Sequence, residues 1–159
     1  NQARDKDGIS SVTLMAEVAL YYKLQGLNLI QALDKIYEEF GFAFEELLSL
    51  DYFGIEGQDK IARIMQFFRN YSERQMLNRD IESIKDYEKS LEGLPKSNVL
   101  GFIFKDGNQV YLRPSGTEPK IKFYIMIQER TGSLAEKKEK AYQLANSFVD
   151  YIKKTCEQL

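Results

Sequence analysis

The chain has 159 residues, of which 43% are apolar and 29% charged, a composition typical of a soluble globular protein. Its net charge of −2 and the lack of a long apolar run give no reason to expect nucleic acid or a membrane as a partner. The single cysteine, Cys156, excludes an internal disulfide framework and favours a reducing cytoplasm. The absence of histidine excludes Ser-His and Cys-His catalysis and histidine-ligated zinc.

Two amphipathic helices are predicted at the start of the chain. Residues 11–25 carry apolar side chains at helical spacing, and residues 28–40 repeat this pattern after Asn28, a good N-cap. No strand is predicted nearby for their apolar stripes to cover. Exposed apolar stripes of this size tend to pack against another surface, so we expect the helices to dock onto the second part of the chain or to self-associate. The residues expected to lack partners are Leu14, Val18, Leu33 and Ile36.

The rest of the chain alternates between helix and strand signals. Residues 42–57, rich in aromatic residues and glycine, are predicted to be an irregular boundary, and residues 59–70 have the apolar spacing of a helix. A strand is predicted within residues 81–93, and an Asp-Gly turn between apolar runs marks a β-hairpin. An alternating strand and a final helix with a capping box follow. This order predicts an α+β fold in which helices pack on one face of a mainly antiparallel sheet.

The segment YLRPSGTEPKIKFYI, residues 111–125, places a polar turn between two strands. Pro114 and Pro119 restrict the residues before them to extended geometry, and Gly116 permits a positive φ. A turn built in this way can direct successive backbone N–H groups towards an anion. Glu118 would repel a phosphate or, alternatively, orient one of the neighbouring cations.

Polar side chains add to this pattern. Arg113 supplies a planar guanidinium suited to phosphate oxygens, and the hydroxyls of Ser115 and Thr117 are further donors. Strand alternation places Lys120 and Lys122 together on the face opposite the apolar one. These features are typical of a phosphate cradle, but the same residue types are also common in solvated loops. The residues alone leave both interpretations open.

The motif RPSGTEPK, residues 113–120, resembles the phosphate-binding loop in the C-terminal domain of the α-D-phosphohexomutases, the superfamily of phosphoglucomutases and phosphomannomutases. The resemblance extends to ARDKDGI at 3–9, LPKSNVLGF at 94–102 and KIKFYI at 120–125. These segments are similar to the bacterial phosphoglucomutase branch, which also resembles the phosphopentomutases. The resemblance covers essentially the whole chain.

This resemblance implies a domain division and a fold. Residues 1–50 correspond to the helical end of the third of four domains. Residues 51–159 correspond to the fourth domain, a two-layer α+β sandwich like the TATA-binding protein. The family's phosphoserine loop, its aspartate-rich Mg²⁺ loop and its sugar-binding loop have no counterpart here. We therefore expect a fragment of a larger enzyme, inactive alone, with the remaining domains and the sugar phosphate substrate as its partners.

The resemblance also implies a mechanism. In the family a phosphoserine phosphorylates a sugar monophosphate, and the resulting bisphosphate, such as glucose 1,6-bisphosphate, reorients and returns its other phosphate to the serine. The fourth-domain loop holds the phosphate that is not being transferred. Arg113, Ser115, Gly116 and Thr117 match that loop, and Lys122 matches a position where many relatives have arginine. Mg²⁺ is expected as a cofactor of the full-length enzyme, bound outside this chain.

The motif RDKDG, residues 4–8, is the second implied site. The family motif places a lysine, here Lys6, in the active-site cleft near the transferring phosphate, and it leaves the role of Arg4 open. From the residues alone, this segment is a solvated charge cluster in which Asp7 or Ser10 caps the following helix. No metal is assigned to it, because its two aspartates lack further ligands.

Two other functions remain open. One is a non-catalytic module that binds phosphosugars or other anions, and the other is an interaction domain in which the loop is only a turn. Loss of phosphate affinity in Arg113→Ala separates the phosphate-binding functions from the interaction domain. The family recognises its sugar, whether glucose, mannose or a pentose, with loops outside this chain.

Overall fold

The computed structural model describes residues 7–159, which form two compact units that divide between Gly41 and Phe42. The first unit contains two helices, and the second contains a six-stranded sheet with two α-helices. This division differs from the one expected after residue 50, because the strand Phe42–Asp51 pairs within the second unit. None of the helices in residues 7–159 is both long and apolar enough to cross a membrane.

The first unit is a helical hairpin of α1 (Gly8–Leu24) and α2 (Leu29–Phe40). The Asp7 carboxylate caps α1 by accepting hydrogen bonds from the N–H groups of Ile9 and Ser10, at 3.0 and 3.2 Å. A capping box also closes the start of α2. These bonds satisfy backbone donors that a helix otherwise leaves without partners. Both predicted helices are therefore confirmed.

The predicted apolar stripe is present on α2 but not on α1. On α1, apolar side chains lie around the whole circumference and none is buried, with Leu14 62% exposed. Leu33 and Ile36 of α2 are exposed as expected, whereas Val18 of α1 is half-buried. A helix that is apolar on all sides is typical of the interior of a larger protein.

In the second unit six antiparallel strands form one sheet in the order β1-β6-β5-β4-β3-β2. Two helices accompany the sheet, and two single 3₁₀ turns follow the third strand. The predicted α+β class is confirmed. The elements are β1 (Phe42–Asp51), α3 (Gly54–Arg69), β2 (Gln75–Met76), β3 (Arg79–Asp86), β4 (Leu100–Phe104), β5 (Gln109–Pro114), β6 (Lys120–Glu129) and α4 (Leu134–Gln158).

Strand β1 shows that the prediction of irregular chain over residues 42–57 is wrong for its first ten residues. Glu45 and Glu46 interrupt the alternation of apolar and polar residues, which hides the strand from a reading of local pattern. The strand forms because β6 offers it a partner along its whole length, from the pair Phe42–Glu129 to the pair Asp51–Lys120.

Helix α3 begins at Gly54 rather than at residue 59. Two glycines, Gly54 and Gly57, lower the helix propensity of its first turn. The buried Gly57 lies so close to Tyr52 that a Cβ atom on it would be 2.8 Å from the Tyr52 Cβ. Tertiary packing, rather than intrinsic propensity, therefore decides where this helix starts.

The hydrophobic core lies between α3, α4 and one face of the sheet. Alternation along β6 puts four of its side chains on this face, each at most 2% exposed, namely Ile121, Phe123, Ile125 and Ile127. Phe68 of α3 contacts Phe102 and Phe123 edge to face, with ring centroids 6.0 and 5.9 Å apart. The opposite face carries polar and half-buried side chains, among them Lys122. This second face is the one that presents the candidate site.

A polar cluster anchors the C-terminal end of α3. Arg69 Nε lies 3.3 Å from Asp86 Oδ2, and Arg69 Nη2 lies 3.3 Å from Glu88 Oε2. The same guanidinium donates a hydrogen bond of 2.9 Å to Asn98 Oδ1. Asp86 is only 7% exposed, so its buried carboxylate needs neighbouring positive charges. Arg69 and Lys89 supply them, and Lys89 Nζ is 3.9 Å from Asp86 Oδ2.

We expect Arg69→Ala to lower the free energy of unfolding by about 2–3 kcal/mol, because it leaves the buried Asp86 carboxylate without its main partner. Urea denaturation followed by circular dichroism measures this change. Arg74→Ala is the control, because Arg74 is exposed and should contribute less than ~0.5 kcal/mol. Equal losses in the two variants would contradict the anchoring role of Arg69.

Candidate functional site

The RPSGTEPK loop, residues 113–120, connects strands β5 and β6. The β5–β6 ladder continues to its base, where Arg113 pairs with Lys122. Within the loop, the Ser115 N–H donates to the Lys120 carbonyl oxygen at 2.8 Å. The two ends of the loop are therefore held by sheet hydrogen bonds, and the chain between them forms a short, closed turn.

The Ser115 hydroxyl organises the inside of this turn. Its oxygen accepts the N–H groups of Thr117 and Glu118, at 3.4 and 3.3 Å. The expected nest in which loop amides point at an anion is therefore not formed by these two amides. Because the Ser115 oxygen acts as the acceptor here, its O–H proton remains available for a ligand.

The turn does not use the conformational freedom of Gly116. This residue is not among those of 7–159 that have a positive φ, so the left-handed conformation that glycine permits is not adopted here. The Ser115 side chain, not glycine geometry, bends the chain at this point. A Cβ atom on Gly116 would meet no other atom within 4 Å, so packing does not require glycine either. Its exposed backbone is open to a ligand.

Arg113 and Lys122 face each other across the β5–β6 ladder, on the face of the sheet opposite the core. Arg113 is exposed and Lys122 is half-buried. Neither forms an ion pair with a carboxylate among residues 7–159. Like charges directly opposite each other on paired strands destabilise a sheet. An anion between these two side chains would remove that repulsion.

Lys120, in contrast, is already neutralised. Its Nζ forms a salt bridge with Glu118 Oε2, which supports the expectation that Glu118 orients one of the cations. The hydrogen bond from Lys120 lowers the pKa of the Glu118 carboxyl, and the same bond raises the pKa of Lys120. The Asp51 carboxylate adds a smaller attraction that also raises the pKa of Lys120. Arg113 and Lys122 are thus the cations left for a ligand.

The loop and the adjoining strands enclose an open cleft of about 440 Å³, large enough for a sugar phosphate. Its lining includes Tyr124, which lies on the same face of β6 as Lys122. A larger cleft of about 520 Å³ lies at the other end of β6. There Arg79 is paired with Asp106, so part of its charge is cancelled. The loop cleft is therefore the better candidate for an anion.

The second predicted site, RDKDG at residues 4–8, is described by the structure from Asp7 onward. Lys6 and Arg4 lie outside the described residues. Asp7 caps α1, which confirms the structural part of the interpretation of this segment. Hydrogen bonds from Ser10 lower the pKa of the Asp7 carboxyl, as expected for a capping carboxylate. Residues 7–159 contain no cluster of three side chains suited to hold a metal ion.

The sequence reasoning missed one contact with the loop. The Tyr52 N–H, immediately after β1, donates to the Pro119 carbonyl oxygen at 2.8 Å. No local signal in the sequence indicates this contact, because it depends on the pairing of β1 with β6. Cys156 is buried, and burial raises its pKa to about 12. It therefore lacks the thiolate character that a reactive cysteine needs.

No protein-family model matches the chain. It is 37% identical to a phosphoglucomutase of Staphylococcus aureus (strain bovine RF122 / ET3-1) over 136 residues, 79% of the chain. It is 34% identical to a phosphoglucomutase of Staphylococcus saprophyticus over 137 residues, also 79% of the chain. The chain belongs to the phosphohexomutase superfamily. The resemblance of its motifs to this superfamily is thereby confirmed.

The chain spans about a quarter of the length of these relatives, 24% and 25% respectively. Its fold resembles the open form of pp63/parafusin, a phosphoglucomutase from Paramecium, with a TM-score of 0.61 and 20% identity. That likeness covers 92% of this chain and 27% of the Paramecium protein. At this level of identity it shows a shared fold, and it agrees with the α+β fold expected for a fourth phosphohexomutase domain.

We expect Glu118→Gln to lower the pKa of Lys120 towards its ordinary value, because the neutral amide no longer stabilises the charged ammonium. A pH titration of the Lys120 side chain by nuclear magnetic resonance measures the shift. Asp80→Asn is the control, since Asp80 pairs with Lys105 instead, at 3.0 Å. A pKa of Lys120 that is the same in Glu118→Gln and in the unmodified chain would show that the salt bridge does not form in solution.

Proposed function

We propose that this chain is part of a phosphoglucomutase-type enzyme that interconverts sugar 1-phosphates and 6-phosphates, and that the RPSGTEPK loop holds the phosphate that is not transferred. The observation that carries this proposal is the pair Arg113 and Lys122, which face each other without a carboxylate partner in residues 7–159. A phosphate dianion between them would accept charge-assisted hydrogen bonds and remove their mutual repulsion.

The groups around the loop have different parts in this proposal. Arg113 offers parallel N–H donors to two phosphate oxygens, whereas Lys122 provides a compact charge without that planar geometry. The hydroxyls of Ser115 and Thr117 and the exposed backbone of Gly116 are the proposed neutral donors. Lys120 contributes less, because Glu118 already neutralises it.

A clamp on a remote phosphate can contribute to the chemistry at the other end of the sugar. Phosphoryl transfer depends mostly on positioning and on electrostatic stabilisation. Interactions with a part of the substrate that does not react can therefore orient the part that does. Glucose 1,6-bisphosphate is the proposed intermediate and activator, and after it reorients, its second phosphate would occupy the same loop.

The other parts of the enzyme are proposed only from the membership of this chain in the phosphohexomutase superfamily. The expected boundary after residue 50 is moved to the division between Gly41 and Phe42, so that the first unit is proposed to belong to the third domain and the second unit to be the fourth. The remaining domains, which supply the phosphoserine, are the proposed partners. Lys6 is proposed as a cation in the active-site cleft near the transferring phosphate. Mg²⁺ is the proposed cofactor of the whole enzyme, held outside this chain. Within residues 7–159, no three carboxylate or cysteine side chains lie close enough together to hold a metal ion. A cytoplasmic location is proposed on the basis of the single cysteine.

We expect glucose 6-phosphate and glucose 1,6-bisphosphate to bind the chain weakly, with Kd values of roughly 1 mM, because one clamp acts without the other three domains. Arg113→Ala should weaken binding by about tenfold or more, through loss of the bidentate donors. Lys122→Ala should weaken it less, since lysine binds as a point charge. Isothermal titration calorimetry measures all three affinities.

Arg130→Ala is the matched control, because it removes one positive charge beyond the opposite end of β6. Equal affinities in Arg113→Ala and Arg130→Ala would favour the interpretation of the loop as a solvated turn. Phosphate binding without any mutase activity in the full-length protein would favour the second candidate, a non-catalytic phosphosugar-binding module.

We also propose that the apolar surface of α1 causes self-association of this 159-residue chain. Leu14, Leu20 and Leu24 are 62%, 57% and 80% exposed, and apolar areas of this kind seldom stay uncovered. Sedimentation velocity should then show a concentration-dependent increase in mass that Leu20→Lys reduces. A monomer at all concentrations, with rapid hydrogen exchange in α1, would contradict this expectation.

A further inference from the structure

The RPSGTEPK loop is held on two sides, by its own closing hydrogen bond and by Tyr52 of the β1–α3 junction, which does not line the cleft. On the β5 side, Ser115 N–H donates to the Lys120 carbonyl oxygen. On the β1 side, the Tyr52 N–H donates to the Pro119 carbonyl oxygen at 2.8 Å. The second bond extends the β1–β6 ladder beyond its last pair, Asp51–Lys120. It is the contact through which the β1–α3 junction acts on the loop.

The start of α3 determines where the Tyr52 backbone lies. A Cβ atom on the buried Gly57 would be 2.8 Å from the Tyr52 Cβ and 3.0 Å from the Tyr52 carbonyl carbon. The first distance is shorter than non-bonded Cβ contacts allow, and the second is unusually tight. A backbone carbon also cannot swing aside as the end of a long side chain can. Any larger residue at position 57 therefore has to displace Tyr52 or the first turn of α3.

The Tyr52 ring makes a second contact between the β1–α3 junction and α3. Lys60, on the following turn of α3, places its Nζ 5.4 Å from the centre of the ring, within the range of a cation–π contact. Tyr52 is half-buried, and this burial is the main cause of the raised pKa of its hydroxyl. Both the backbone and the ring of Tyr52 are thus held by α3.

We infer that Gly57 and Tyr52 are positioning residues for the phosphate-binding loop. The lack of a side chain at Gly57 lets α3 lie against Tyr52, and the Tyr52 N–H fixes Pro119 at the entrance to β6. That arrangement sets the place of Lys122 opposite Arg113. The effect on affinity rests on the proposed phosphate-binding function, whereas the effect on loop order does not.

The test is Gly57→Ala in the 159-residue chain. We expect the affinity for inorganic phosphate and for glucose 6-phosphate to fall about five- to tenfold, the scale of one weakened hydrogen bond in the supporting structure. Amide hydrogen exchange should accelerate at Tyr52 and at Ser115, because the substitution strains the hydrogen bonds that their N–H groups donate to the Pro119 and Lys120 carbonyl oxygens. Amide hydrogen exchange within α4 should stay unchanged. A general loss of stability would accelerate exchange in α4 as well.

Ala145→Gly provides a control of similar size. Ala145 is 1% exposed in the core face of α4, so its replacement lowers stability without contact with the loop. This variant should retain both the phosphate affinity and the slow exchange at Ser115. Should Gly57→Ala not fold, Tyr52→Ala takes its place, since it removes the ring but keeps the N–H donor. We expect a two- to threefold loss of affinity there, about the effect of one cation–π contact.

The outcomes separate this inference from the proposed function. Weaker phosphate binding and faster exchange at Ser115 in Gly57→Ala, but not in Ala145→Gly, support the positioning role. Unchanged exchange at Tyr52 and Ser115 in a folded Gly57→Ala overturns it, whatever the affinity. If the unmodified chain binds no phosphate, the proposed function fails, and hydrogen exchange alone then decides the positioning role.

Discussion

The antiparallel pairing of β6 with β1 on one side and β5 on the other is the constraint on which the second unit depends. Successive side chains of a strand point to opposite faces, so burial of Ile121 and Phe123 in the core places Lys122 on the open face. A shift of one residue in this register would bury Lys122 and expose the core residues. The free-energy cost of burying an unpaired charge therefore disfavours the shifted register, which keeps both the core and the site in place.

The electrostatics of the site follow from this register. The ladder brings Arg113 and Lys122 together, while the turn between them supplies one carboxylate, Glu118, which pairs with Lys120. Arg113 and Lys122 form no salt bridge within residues 7–159. Glu118 also attracts Lys122, but it is one carboxylate among three cations, so a local excess of positive charge remains. Such an arrangement costs stability in the free protein and is compensated when an anion binds. Like charges on paired strands are unfavourable for stability, and unfavourable local features of this kind are expected at functional sites.

The two units differ in how completely they bury their apolar residues. The second unit has a closed core in which Phe68 packs on the sheet and α4 covers β1 and β6. In the first unit, α1 buries none of its residues and α2 buries Ala32. An element with this composition needs further surfaces to pack against. The matched region is about a quarter of the length of the relatives, which is in keeping with such surfaces in a larger protein.

The sequence by itself determined the elements whose signals are local: the Asp-Gly hairpin, the alternating strand β6, the capped helix α4 and the polar loop with its family motif. Only the tertiary structure decided that residues 42–51 form a strand, that α3 starts at Gly54, and that Ser115 rather than Gly116 bends the loop. The physical reason is the range of the interactions involved. Caps, turns and alternation act within a few residues, whereas β1 and the Tyr52 contact require a partner strand from the other end of the unit.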